Sequence, residues 1–171
     1  MADGYTVLEY GTLASSSTTD ITFSNIPQTF SHLEFTFSGI SMMVQNRAFV
    51  YLKINDDTST VYSRIGWALE NGLNRDVQSW AGPMNIASIQ GTTAQANQAG
   101  VMKFDFVNYS STVLQKTGFA LSTSTDASAS GNMVGKQNAW SYGSTNAITK
   151  INFNVSSGFK AGSTYSLGAW K

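Results

Sequence analysis

The chain has no cysteine, a single histidine (His32) and two prolines in 171 residues. Without thiols there is no disulfide framework, no thiolate nucleophile and no cysteine-held zinc. With one imidazole, any histidine-dependent mechanism must pass through His32. Charge is scarce too: 12% of residues are charged, ten basic against ten acidic, for a net charge of zero. That balance supplies no field to grip a phosphate backbone or an anionic membrane, so neither nucleic acid nor membrane is expected as a partner. No apolar run approaches the ~20 residues of a membrane-spanning helix. The sequence opens Met-Ala-Asp-Gly with no basic, apolar leader, the pattern of a protein made and kept without a secretion signal.

What fills the chain is Ser, Thr, Asn, Gln and Gly, with 12% aromatics. β-Branched and aromatic side chains suit a pleated sheet, and small polar residues suit turns and solvated faces. Alternation is clearest in His32–Ser38, where Leu33, Phe35 and Phe37 share one face and His32, Glu34, Thr36 and Ser38 the other. Comparable short runs are Thr6–Leu13, Asp20–Ser24, Ala48–Asn55, Val61–Leu69, Met84–Ile89, Val101–Asn108, Val113–Ser122, Met133–Ser141, Ile148–Val155 and Thr164–Trp170. The connections are too short for crossover helices. The expectation is an all-β, antiparallel β-sandwich of jelly-roll type with about ten strands, forming one domain over residues 1–171. One short helical turn is possible through Ala94–Ala99. Two segments read as long loops, 66–83 and 123–138, and long loops on a rigid sandwich are where binding usually resides.

No catalytic set assembles from the sequence. His32 opens the most regular strand and no Gly-x-Ser-x-Gly turn exists to partner it. The ten carboxylates offer no pairing, and Asp105, between Phe104 and Phe106 and beside Lys103, reads as part of a solvated strand face. Asn55-Asp56-Asp57 has oxygen ligands but not the spacing of an EF-hand loop, and a turn explains it without metal. Glycines lack phosphate-loop or dinucleotide spacing. No enzyme activity, cofactor or metal is therefore expected. Tryptophans remain as anchors for a protein or sugar partner. The candidates in 66–83 are Trp67, Arg75 and Trp80, with Trp80 read as an exposed loop residue.

Ile21-Thr22-Phe23, then Ile26-Pro27-Gln28-Thr29-Phe30-Ser31-His32-Leu33, then Ile54-Asn55-Asp56-Asp57 shortly before Tyr62-Ser63, resembles a widespread family of small tailed-bacteriophage virion proteins. Phe106-Val107-Asn108-Tyr109, Ile148-Thr149-Lys150-Ile151 and Gly158-Phe159-Lys160-Ala161-Gly162-Ser163-Thr164-Tyr165-Ser166-Leu167 fall in the same order, so the resemblance covers about residues 5 to 171. The family usually closes Leu-Tyr-Gly, whereas this chain ends Leu167-Gly168-Ala169-Trp170-Lys171. The resemblance implies a structural protein of the phage particle, assembled in the host cytoplasm. Expected partners are other virion proteins, either the major capsid protein or tail and portal components, and further copies of the chain in a homo-oligomer. With a first strand by about Tyr5 and no room for a shaft, a capsid decoration or cement protein is the first expectation. The alternative is a short tail or head fibre knob that binds host glycan, and a glycan-degrading enzyme is the remotest.

Overall fold

The computed structural model describes residues 4–16, 18–59, 61–69, 73–80, 83–93, 98–125 and 133–171, with backbone alone at 69 and 73–80. The period-two pattern becomes twelve strands: β1 (Thr6–Thr12), β2 (Thr18–Phe23), β3 (His32–Gly39), β4 (Arg47–Ile54), β5 (Tyr62–Leu69), β6 (Leu73–Trp80), β7 (Met84–Gln90), β8 (Gly100–Val107), β9 (Lys116–Thr125), β10 (Met133–Tyr142), β11 (Ile151–Phe159) and β12 (Thr164–Trp170). Their order is β1-β12-β3-β8-β9-β10-β5-β6 in one sheet and β2-β11-β4-β7 in the other. Neighbouring strands pair antiparallel throughout.

Removing the β5–β6 and β9–β10 hairpins leaves two layers, β1-β12-β3-β8 and β2-β11-β4-β7, which is jelly-roll topology. The hairpins are insertions that extend only the larger sheet. The core lies between the layers and contains an aromatic cluster: Phe35 stacks on Phe153 with ring centroids 4.0 Å apart, and Phe104 meets the same ring at 4.8 Å. Leu33, Leu52 and Ile151 are fully buried around them.

Past the core, β7 is the edge of the smaller sheet, and side chains of the larger sheet satisfy its open backbone groups. Ser88 N–H donates to Ser122 Oγ at 3.1 Å, and Asn138 Nδ2 donates to the Ile86 carbonyl at 2.7 Å. Arg64 Nη1 in turn donates to Asn138 Oδ1 at 3.0 Å. An unpaired, buried strand edge is costly, which explains why Ser122 and Asn138 are buried among apolar strands.

Several sequence expectations need correction. Residues 66–83 are not one long loop: 62–69 and 73–80 pair residue for residue as a hairpin, from Tyr62 opposite Trp80 to Leu69 opposite Leu73. Trp80 is therefore a strand residue, not a loop residue. Of 123–138, Thr123–Thr125 belongs to β9 and Met133–Asn138 to β10, while 126–132 lies outside the described residues. Most of the short helical turn expected over Ala94–Ala99 also lies outside them. The ninth strand starts at Lys116 rather than Val113, because Ser111 Oγ accepts from the Val113 and Leu114 amides and holds a turn there. Lys116 Nζ completes that turn, donating to the carbonyls of Ser111, Leu114 and Thr145 at 2.7, 2.6 and 3.1 Å. Burial holds its ammonium below the usual lysine range.

The Asn55-Asp56-Asp57 turn has Asn55 and Asp56 in the left-handed region, φ 51° and 56°, which these two side chains tolerate. Its carboxylates are already engaged. Asp56 pairs with Lys150 at 2.8 Å, while Asp57 accepts from Ser59 and from the Tyr142 hydroxyl, the latter at 2.8 Å. The Ser59 hydroxyl, the Ser59 amide and Tyr142 hold Asp57 below the usual aspartate value of 3.8. Burial first, and then Asp57, pushes Tyr142 up to about 12, and burial raises Tyr62 as well. The lowered carboxyl contributes stability that is complete above pH 3.8 and is lost as pH falls through its folded value. The raised phenols act oppositely: the unfolded chain releases their protons first, so stability is complete below the usual tyrosine value of 10.0 and is lost above it. Thermal midpoints should therefore be flat from pH 5 to 9 and fall on both sides. A midpoint unchanged at pH 11 would refute this.

Candidate functional site

Strand alternation divides the larger sheet into an inward series and an outward series. Outward on neighbouring strands are Val101, Lys103, Asp105 and Val107 from β8, and Thr117, Phe119, Leu121 and Thr123 from β9. Register aligns them into rows: Lys103, Leu121, Gln137 and Trp67 stand side by side across four strands, and Asp105, Phe119, Ala139 and Ile65 form the next row. Large apolar side chains stay open on this face, among them Phe119 at 55%, Val101 at 49%, Leu121 at 47% and Trp67 at 42% exposure. Exposed apolar residues gathered on one face mark interaction sites more than scattered ones do.

A groove of about 690 Å³ runs along this face between Trp67, Val101, Lys103, Leu121, Thr123 and Gln137. Gly135 opens it. This residue sits between Thr123 and Leu69 in register, and a Cβ built on it would meet nothing within 4 Å.

Beside the groove, the middle strands carry charge. Lys103 Nζ lies 2.8 Å from Glu34 and 3.8 Å from Asp105, and His32 Nε2 is 3.2 Å from the same Asp105 oxygen. The Glu34 hydrogen bond holds the Lys103 ammonium above the usual lysine range. His32 thus sits at the end of an interior strand with Asp105 as its partner. Among the described residues no cluster of His, Asp and Glu has metal-holding geometry.

The three candidates from the sequence separate. Trp67 lines the groove, and Arg75 stands directly opposite it in the β5–β6 register. Trp80 pairs with Tyr62, which belongs to the buried, inward series, so its register position falls on the other face from Trp67. The side chains of Arg75 and Trp80 lie outside the described residues. Sequence reading missed Phe119, Leu121, Val101 and Gly135. The available signal was the pairing within β9 of small residues on one parity (Gly118, Ala120, Ser122) with large ones on the other (Phe119, Leu121).

No family model and no curated protein matches the sequence. Among solved structures, the chain is similar to an exo-inulinase from Aspergillus awamori, at 11% identity and TM-score 0.41, over 96% of this chain and 29% of that one. It is also similar to an engineered GH43 glycoside hydrolase with endo-xylanase and exo-arabinofuranosidase activity, at 9% identity and TM-score 0.39, over 98% of this chain and 36% of that one. A third likeness, to infectious bursal disease virus (Gx strain), has 11% identity and TM-score 0.15, over 99% of this chain and 39% of that one. The chain thus spans about a third of the length of these structures, and none of the likenesses assigns it an activity.

Proposed function

We propose that this chain is a non-enzymatic structural protein of a tailed-bacteriophage particle, a decoration protein that seats the outward face of its eight-stranded sheet on the particle surface. The observation that carries the reading is the open apolar face around the Gly135 groove. Its neighbouring charges Lys103, Glu34 and Asp105 are already paired with one another. A surface of this kind holds a protein partner through apolar area and hydrogen bonds, and a chain of zero net charge gains little from long-range steering.

Mass spectrometry of gradient-purified particles should find the chain, and its absence from intact virions would end the proposal. Attachment should survive a rise to about 1 M salt, where the Debye length is ~3 Å and exposed ion pairs are screened. Leu121→Asp and Gly135→Leu should both abolish attachment while the isolated chain melts normally, since one puts a charge on the face and the other fills its groove. Release of the native chain by salt alone, or full attachment of both variants, would place the contact elsewhere.

A further inference from the structure

The opposite side of the sandwich carries a different surface. On the outward face of the smaller sheet, Asp20, Asn154 and Tyr51 form one cross-strand row, and Thr22, Asn152 and Lys53 the next. A pocket of about 310 Å³ lies among Asp20, Tyr51, Lys53, Asn152, Asn154 and Pro83. This is the lower end of ligand-pocket sizes, ~300–1,000 Å³, and suits a single sugar ring.

Hydrogen bonds inside the pocket decide what it presents. Asn152 Nδ2 donates to Asp20 Oδ1 at 2.9 Å and to Thr22 Oγ1 at 2.7 Å. Asn154 Nδ2 donates to the same Asp20 oxygen at 3.1 Å and to the Thr19 carbonyl at 3.3 Å. Both amide groups thereby use their donors on the protein, and what they keep for a ligand is the acceptor oxygen. Burial works against the charged form of Asp20, but hydrogen bonds from Thr19, Asn152 and Asn154, with the Lys53 charge, outweigh it and keep the carboxyl below its usual range. The wall is thus rich in acceptors, with the Lys53 ammonium and Tyr51 hydroxyl as its donors and the Tyr51 and Pro83 rings as apolar surface.

That set excludes most ligand classes. An anion would meet the Asp20 carboxylate. A metal cation would find one carboxylate beside an ammonium. A purely apolar ligand would strip water from amides and a charge without replacing their hydrogen bonds. A neutral ligand with many hydroxyl donors and an apolar ring face satisfies every group present. We infer that this pocket is a saccharide-binding site, built from Asp20, Tyr51, Lys53, Asn152 and Asn154 and recognising a neutral pyranose through its hydroxyls. It stands independently of the docking proposal and lies on the other sheet, so a particle-bound chain could present it outward.

The test is titration of the ¹⁵N-labelled full chain with glucose, galactose, mannose and N-acetylglucosamine, with glycerol and inorganic phosphate as comparators. At least one hexose should shift the side-chain amide signals of Asn152 and Asn154 saturably, with a Kd of ~1–10 mM, as befits a small ligand. Loss of one hydrogen-bonding group should weaken binding about tenfold, both in Asn154→Ala and in Tyr51→Phe, which deletes only a hydroxyl. Trp67→Ala should leave it unchanged. The inference is overturned if no hexose shifts these signals by ~50 mM, well above that range. It is equally overturned if glycerol or phosphate binds as well as the sugars, if the shifts map to the Trp67 groove, or if both pocket variants bind as the native chain does.

Discussion

Deleting Thr164–Lys171 should leave a chain that neither folds cooperatively nor stays soluble. Each residue from Thr164 to Ala169 pairs with β1 on one side and β3 on the other, so the last strand is interior to the larger sheet. Its loss removes the buried Leu167 and Ala169. It also strips the Tyr165 contact from Phe23, ring centroids 5.8 Å apart, and leaves the edges of β1 and β3 open. One fully buried leucine alone contributes ~1.5–3 kcal/mol, and two unmatched strand edges add to that against a typical total of ~5–15 kcal/mol. Circular dichroism and sedimentation of the truncated chain check this. A soluble, cooperatively melting product would mean that β12 is an appendage to a core complete without it.

Gly118→Ala should be the most damaging conservative substitution in the inserted hairpins. Gly118 stands between Phe106 and Trp140 in register, and its missing side chain lets those two rings meet edge-on at 5.1 Å across it. An added Cβ would fall on the Asp105 carbonyl oxygen and 2.6 Å from Trp140 Cζ2. The carbonyl belongs to the β8 backbone and cannot yield without opening the β8–β9 ladder. A cost of ~3 kcal/mol is expected, the upper part of the overpacking range, which lowers Tm by about 6–12 °C for a chain of this length. Gly135→Ala on the neighbouring strand is the matched control. Its Cβ enters open space, and the variant should melt within a degree or two (about 0.5 kcal/mol) of the native chain. Equal melting of the two variants would refute the packing argument.

How much was legible before the structure depended on whether the signal was local. β3 reads correctly because burial alternates along it without exception, as its sequence does. β6 does not read at all: Leu-Asn-Arg-Asp-Val-Gln-Ser-Trp has no apolar alternation, and it is a strand because β5 offers it an edge. Of the binding candidates, Trp67 was visible as one of the tryptophans of the 66–83 segment. Its separation from Trp80 was not, since that follows from the position of the β5–β6 turn and the parity it sets.

Composition and period-two alternation by themselves determined an all-β, antiparallel sandwich of neutral charge, because strand formation and sheet pairing without crossover helices follow from short-range pattern. They could not decide which parity of β9 faces solvent. Apolar preference alone would turn Phe119 and Leu121 inward, yet Gly118, Ala120 and Ser122 are buried instead. The reason is space and polarity contributed by distant strands. Trp140 lies over Gly118, and the β7 edge comes close enough for the Ser88 amide to reach Ser122. Only small or hydrogen-bonding side chains fit between, so the tertiary structure puts the large apolar residues outside and thereby makes the open face on which the proposed attachment rests.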